Sequence, residues 1–155
     1  MITRGILGAE FKLGERVMKE KIDSRSVPFA KTRDHHANET AEDYVEAVAE
    51  FIDQRGECRV LDLARHFNVS HVTVSRIVKR LQDETLLITQ PYRPIELTPQ
   101  GAKLAKRVKE RHAVVLNFLL AIGVDQRSAE IDSEGIEHHV GNKTLAAMKR
   151  FLKQH

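Results

Sequence analysis

Residues 59–81 read RVLDLARHFNVSHVTVSRIVKRL. In the second half Val74, Ile77, Val78 and Leu81 recur at i, i+3, i+4 and i+7, which places them on one face of a helix. Ser70 stands before that run as an N-cap, so the spacing predicts a helix over about 71–83. CRVLDLARHF (58–67) reads as a shorter helix before it, with Asn68 and Val69 left for a tight turn. A helix, a tight turn and a second helix with a greasy inner face form a helix-turn-helix.

The flanks extend this unit. LLIT (86–89) and IELT (95–98) read as strands, and QPYRP between them carries two prolines that mark a hairpin tip. Upstream, TAED (40–43) matches a capping box, and Tyr44, Val45, Val48, Phe51 and Ile52 form an apolar stripe that ends near Gly56. Downstream, Thr98 caps a long helix with Pro99 at its first position, running to Ile122 and stopped by Gly123. Two shorter helices, about 126–140 and 143–154, follow. The expected fold is mainly α with a small β-hairpin wing. Residues 1–39 form a poorly defined arm, 40–98 a winged helix-turn-helix DNA-binding domain, and 99–155 a helical metal-binding and dimerisation domain.

Composition is permissive. The 155 residues carry a formal net charge of +3, mildly favourable to a polyanionic partner. No apolar run approaches the ~20 residues of a membrane span, and the first 21 residues are too charged for a signal peptide, so a cytoplasmic protein is expected. The one cysteine, Cys58, excludes an internal disulfide and reads as a small core residue. The long helix is basic in its first half (Lys103, Lys106, Arg107, Lys109, Arg111), while AVVLNFLLAI (113–122) is apolar nearly all round. A second copy of the chain is its expected cover, which gives a homodimer.

The helix over 71–83 carries DNA-reading chemistry on its outer face. SHVTVSRIVKR (70–80) has three Lys or Arg residues and no acidic one. Arg76 suits guanine, Thr73 either base type, and Val72 a thymine methyl. Ser70, His71 and Ser75 share that surface. Lys79, Arg80 and Arg93 at the wing tip suit phosphates, which position a protein without specifying sequence. Double-stranded operator DNA is the expected partner. The bland alternative is an ordinary amphipathic surface helix.

A second set of residues calls for a cation. The helix over 40–55 holds Glu42, Asp43, Glu46, Glu50 and Asp53 with no Lys or Arg between 41 and 54, so its like charges repel. His112 lies within the stripe of Leu104, Ala105, Val108, Val115 and Leu119, where a neutral imidazole suits a metal. EGIEHHV (134–140) stacks Glu134, Glu137 and His138 at i, i+3 and i+4. Gly135 inside that helix suggests a close backbone approach. Four carboxylates and two imidazoles without a thiolate form a hard set that suits Mn²⁺ or Fe²⁺ better than structural Zn²⁺. Singly, each residue also reads as a cap, a solvated face or a core histidine.

EDYVEAV (42–48), residues 59–81, LTPQGAKLA (97–105), RHAVVLNFLLAIGVD (111–125) and EGIEHHV together resemble the diphtheria toxin repressor family, and within it the manganese transport regulator branch. The resemblance implies a transcriptional regulator, not an enzyme, that represses Mn²⁺ uptake genes when loaded. It implies two metal ions per subunit held by Asp43, Glu46, His112, Glu134, Glu137 and His138, with Glu134 and Glu137 bridging. Iron-type members usually carry Met and Cys where Asp43 and Glu137 stand, which favours manganese. An iron(II)-responsive regulator, or a winged-helix regulator sensing an organic ligand, is the alternative.

Overall fold

The computed structural model describes residues 36–154; the sequence expectation for residues 1–35 lies outside them. Glu39–His155 forms one compact unit. Helix α1 (residues 36–55) is followed by α2 (Val60–His66), α3 (His71–Asp83), β1 (Leu87–Ile88), β2 (Glu96–Leu97), α4 (Pro99–Ala121), α5 (Gln126–His139) and α6 (Asn142–Gln154).

One core joins α1 to α4 with the wing. Tyr44, Val45 and Val48 of α1, Leu63 of α2, Val74, Val78 and Leu81 of α3, and Ala105 of α4 are buried together with Leu87 and Ile95. The inner face read from the sequence is thus the inner face of the fold. The helix-turn-helix corner is made by Asn68 at φ 52°, a left-handed conformation that asparagine tolerates. Ser70 caps α3 by accepting from the Thr73 amide at 3.1 Å.

Three expectations need correction. Residues 36–39 are already helical, so TAED lies inside α1 and is no cap. Asp43 therefore has no capping role, and the first helix starts before Thr40. The second helix begins at Val60 because Cys58 is extended and bridges Ile95, so the wing gains a third short segment. The start of α2 is fixed by the Arg59 amide, which donates to Asp62 Oδ2 at 2.8 Å. Finally, a Cβ on Gly135 would meet nothing within 4 Å, so no backbone approaches there.

The close approach is at Gly101 instead. The Thr98 hydroxyl donates to Thr85 O at 2.6 Å and accepts from the Gly101 amide at 2.9 Å, pinning the first turn of α4 onto the wing. A Cβ at Gly101 would lie 2.0 Å from Leu86 O. No described helix is long and apolar enough to cross a membrane.

Candidate metal centre and nucleic-acid interface

Two concave regions carry the polar chemistry. The first, of about 800 Å³, is walled by α1, the α2–α3 corner, α4 and α5. Asp43, Glu46 and Glu50 line it from α1, His66 and Phe67 from the corner, His112 from α4, and Glu134 and His138 from α5. Helix α1 presents its acidic side here because its apolar side is buried in the core. Glu137 lies beneath this cavity, 1% exposed.

The imidazoles stand between the carboxylates. His138 Nδ1 lies 2.8 Å from Glu42 Oε2, and its Nε2 lies 3.0 Å from Asp43 Oδ1 and 3.5 Å from Glu137 Oε1. His112 Nδ1 is 2.8 Å from Glu137 Oε2 and 3.7 Å from Glu134 Oε1. The 2.8 Å contact is an ion-pair distance without hydrogen-bond alignment, so this buried Glu137 oxygen has no directed partner among the described residues. As the side chains stand, no three His, Cys, Asp or Glu groups among the described residues converge on one coordination point.

Electrostatics follow from this crowding. Burial pushes the Glu137 carboxyl up to about 7, against the pull of His112 and His138. Asp43 and Glu46 are raised, first by burial and then by neighbouring carboxylates, with His138 and His112 respectively opposing. For His138, burial pulls down, but the Glu42 hydrogen bond and the Asp43 and Glu137 charges outweigh it and raise the pKa. The cavity concentrates more negative charge than it can hold ionised.

Of the six residues read as ligands, five meet within ion-pair distance of another member of the set. Glu46 is half-buried on the same wall, close enough to feel the charges of His112 and Glu134. Glu42 and Arg111 belong to the same cluster and were not expected in it. Arg111 donates to the carbonyls of Glu137 and Val140 and lies 3.7 Å from Glu42 Oε1. Their spacing in the chain gives no hint, since the contacts are tertiary.

The second region is a groove of about 580 Å³ between α3 and the wing, lined by His71, Ser75, Lys79 and Arg93 together with Arg59, Gln82 and Tyr92. Val72 projects fully from α3, 76% exposed, and Arg76 is exposed. Thr73 is half-buried, its hydroxyl 2.9 Å from that of Ser70. Arg80 turns from the groove toward Glu84, at 3.4 Å. Tyr92, 97% exposed at φ 63°, forms the wing tip beside Arg93, and its turn residues were the only signal for it. Arg59, 2.8 Å from Glu57, adds a cation that the sequence reading missed.

A winged helix-turn-helix joined to helices that bear a carboxylate and imidazole cavity defines a metal-dependent DNA-binding regulator. The iron-dependent repressor N-terminal DNA-binding domain matches residues 36–95, and the iron-dependent repressor metal-binding and dimerisation domain matches residues 98–155. The chain belongs to this family, on the branch of the relatives named MntR, and is a transcriptional regulator, not an enzyme. Transcriptional regulator MntR of Salmonella typhimurium is 42% identical over 127 residues, covering 82% of this chain and 81% of the relative. The HTH-type transcriptional regulator MntR of Listeria welshimeri is 41% identical over 99 residues, 64% of this chain and 70% of the relative. In fold the chain is similar to the manganese regulator SloR (TM-score 0.64, 24% identity), covering 73% of this chain but only 53% of that one. A manganese-dependent transcriptional repressor in complex with manganese gives a TM-score of 0.66 at 23% identity, over 73% of this chain and 52% of that one.

Proposed function

We propose that the chain is a Mn²⁺-activated, homodimeric, cytoplasmic transcription factor that represses Mn²⁺ uptake genes when loaded. Residues 40–98 read operator DNA and 99–155 hold metal and dimerise. Asp43, Glu46, His112, Glu134, Glu137 and His138 are the ligands, to two ions per subunit. The observation that carries this reading is the buried Glu137 oxygen with no directed partner among the described residues, in a carboxyl group flanked by His112 and His138. Such a set fits a divalent cation of hard or borderline character, and Asp43 and Glu137 supply oxygen where a softer metal would favour sulfur.

A bound cation supplies positive charge that cancels the carboxylate repulsion. The chain's own part is to bring α1, which packs on the recognition helix, against α4 and α5, which carry the dimer surface. Val114, Leu116, Phe118, Leu119 and Leu120 of α4 are only half-buried in one subunit, and Ile122 and Ile131 are 52% and 64% exposed. That apolar surface supports covering by a second copy. On α3, Val72 and Arg76 read bases, and Ser70, His71, Thr73 and Ser75 share that surface; Lys79 and, on the wing, Arg93 hold phosphates, and Arg80 joins them only by leaving Glu84. Calorimetric titration of the metal-free protein with Mn²⁺ tests the proposal: about two ions per subunit are expected, and fewer than one would refute the ligand set.

A further inference from the structure

Glu42 lies outside the six proposed ligands, yet it occupies the middle of a chain of contacts that crosses three helices. Its Oε2 is 2.8 Å from His138 Nδ1 on α5, a hydrogen bond. Its Oε1 is 3.7 Å from Arg111 Nη1 on α4. All three side chains are largely removed from water, with side-chain exposures of 15% for Glu42, 17% for Arg111 and 5% for His138. Arg111 is itself fixed, because its other guanidinium nitrogen donates to the carbonyls of Glu137 and Val140 at the end of α5. The Glu42 carboxylate is thus held by a cation that cannot easily turn away.

We infer that Glu42, braced by Arg111, is a positioning residue for the metal centre: it accepts the Nδ1–H of His138 and so leaves Nε2 as the nitrogen offered to a divalent cation. This inference rests on the metal reading above. An imidazole has one N–H in its neutral form, and whichever nitrogen donates it cannot also bind a metal. Here Nε2 is the nitrogen that faces Asp43 and Glu137, at 3.0 and 3.5 Å. A carboxylate behind a metal-binding imidazole fixes its orientation and raises its basicity, and losing one typically costs 10- to 100-fold in metal affinity. Asp43, the next residue on α1, faces the other side of the same ring, so α1 grips His138 from both nitrogens.

The test compares the full-length parent with Glu42→Gln, Glu42→Ala and Arg111→Lys. Mn²⁺ affinity is measured by calorimetry, and the His138 ring nitrogens are followed by ¹⁵N NMR in the diamagnetic Cd²⁺-loaded protein. In the parent, Nδ1 should carry the proton and Nε2 should show the metal-bound shift. The Glu42 variants should weaken Mn²⁺ binding by about 10- to 100-fold at unchanged stoichiometry, with Glu42→Gln the milder and Arg111→Lys intermediate. Glu42→Gln preserves volume and serves if the alanine variant does not fold. Unchanged affinity in the Glu42 variants, or metal on Nδ1 in the parent, overturns the positioning role. Loss of one ion per subunit on Glu42 substitution also overturns it, by making Glu42 a ligand. A parent that binds neither Mn²⁺ nor Cd²⁺ refutes the metal reading itself, an outcome distinct from all of these.

Discussion

Gly101→Ala is the sharpest probe of how the wing is joined to the metal-bearing helices. Alanine ordinarily favours a helix over glycine by about 1 kcal/mol. At residue 101 the added Cβ would sit 2.0 Å from the Leu86 carbonyl oxygen, 3.0 Å from its carbon and 3.3 Å from Leu97 Cδ2. The nearest atom is backbone, in a strand end that also accepts the Thr98 amide at 3.1 Å, so it cannot swing aside as a side chain would. A shift of more than an ångström would have to pull α4 from the wing, breaking the hydrogen bonds of Thr98 to Thr85 O and Leu86 O. Overpacking costs ~1–3 kcal/mol, and a lost hydrogen bond to the wing about 1 more. Set against the propensity gain, the clash leaves a net loss of about 1–3 kcal/mol. For a unit of this size that is a fall in Tm on the order of 10 °C. Thermal melts at fixed protein concentration without metal read it directly, with Gly135→Ala as the control. Nothing lies within 4 Å of a Cβ at residue 135, so that variant should gain up to about 1 kcal/mol. A Gly101→Ala protein that melts within 2 °C of the parent would refute the account of this joint.

Other substitutions separate the two sites. Arg76→Ala should weaken operator binding by about 1–3 kcal/mol and blunt its sequence preference, whereas Lys79→Ala should weaken all DNA alike; identical behaviour of both with the parent on operator and random DNA would unseat α3 as the reading helix. Asp43→Met removes an oxygen donor and offers a thioether, so activation should shift from Mn²⁺ toward Fe²⁺ or Co²⁺, read by DNA binding across those metals. Because Asp43 lies inside α1 and caps nothing, its apo melt should stay near the parent's, and an unchanged metal ranking would remove Asp43 from the ligand set. The Glu137 carboxyl, raised to about 7, makes the metal-free fold bind more protons than the unfolded chain between its ordinary value and about pH 7. Its contribution to apo stability should fall as pH rises through that window. Mn²⁺ must displace the same proton, so affinity should climb from pH 6 to 8, and calorimetry that shows no such rise would contradict the buried carboxyl.

The helix-turn-helix was legible because its apolar positions repeat with helical period and its corner uses Asn68, whose conformation is a local property. The acidic side of α1 and the EGIEHHV face were legible for the same reason, as side chains on one turn of one helix. Errors arose where a local pattern competed with its surroundings. TAED has the residues of a capping box, but the chain before it is already helical. Cys58 was read as core, and it is buried, but its bridge to Ile95 depends on a strand 37 residues away in sequence and left no mark on residues 58–59. Gly135 and Gly101 illustrate the limit best. Both sit inside helices, and only the position of the wing reveals that Gly101 is the one with backbone against it. Glu42 and Arg111 lie on different helices and meet only once α1, α4 and α5 have packed.

The most direct test is binding of a labelled operator, selected from a random duplex pool with the loaded protein, across Mn²⁺, Fe²⁺, Co²⁺, Zn²⁺ and Mg²⁺ at constant ionic strength. The account predicts tight, sequence-selective binding by a dimer with Mn²⁺, lost on chelation and restored when Mn²⁺ is returned. Equal operator affinity with Mn²⁺ and with chelator alone would contradict it.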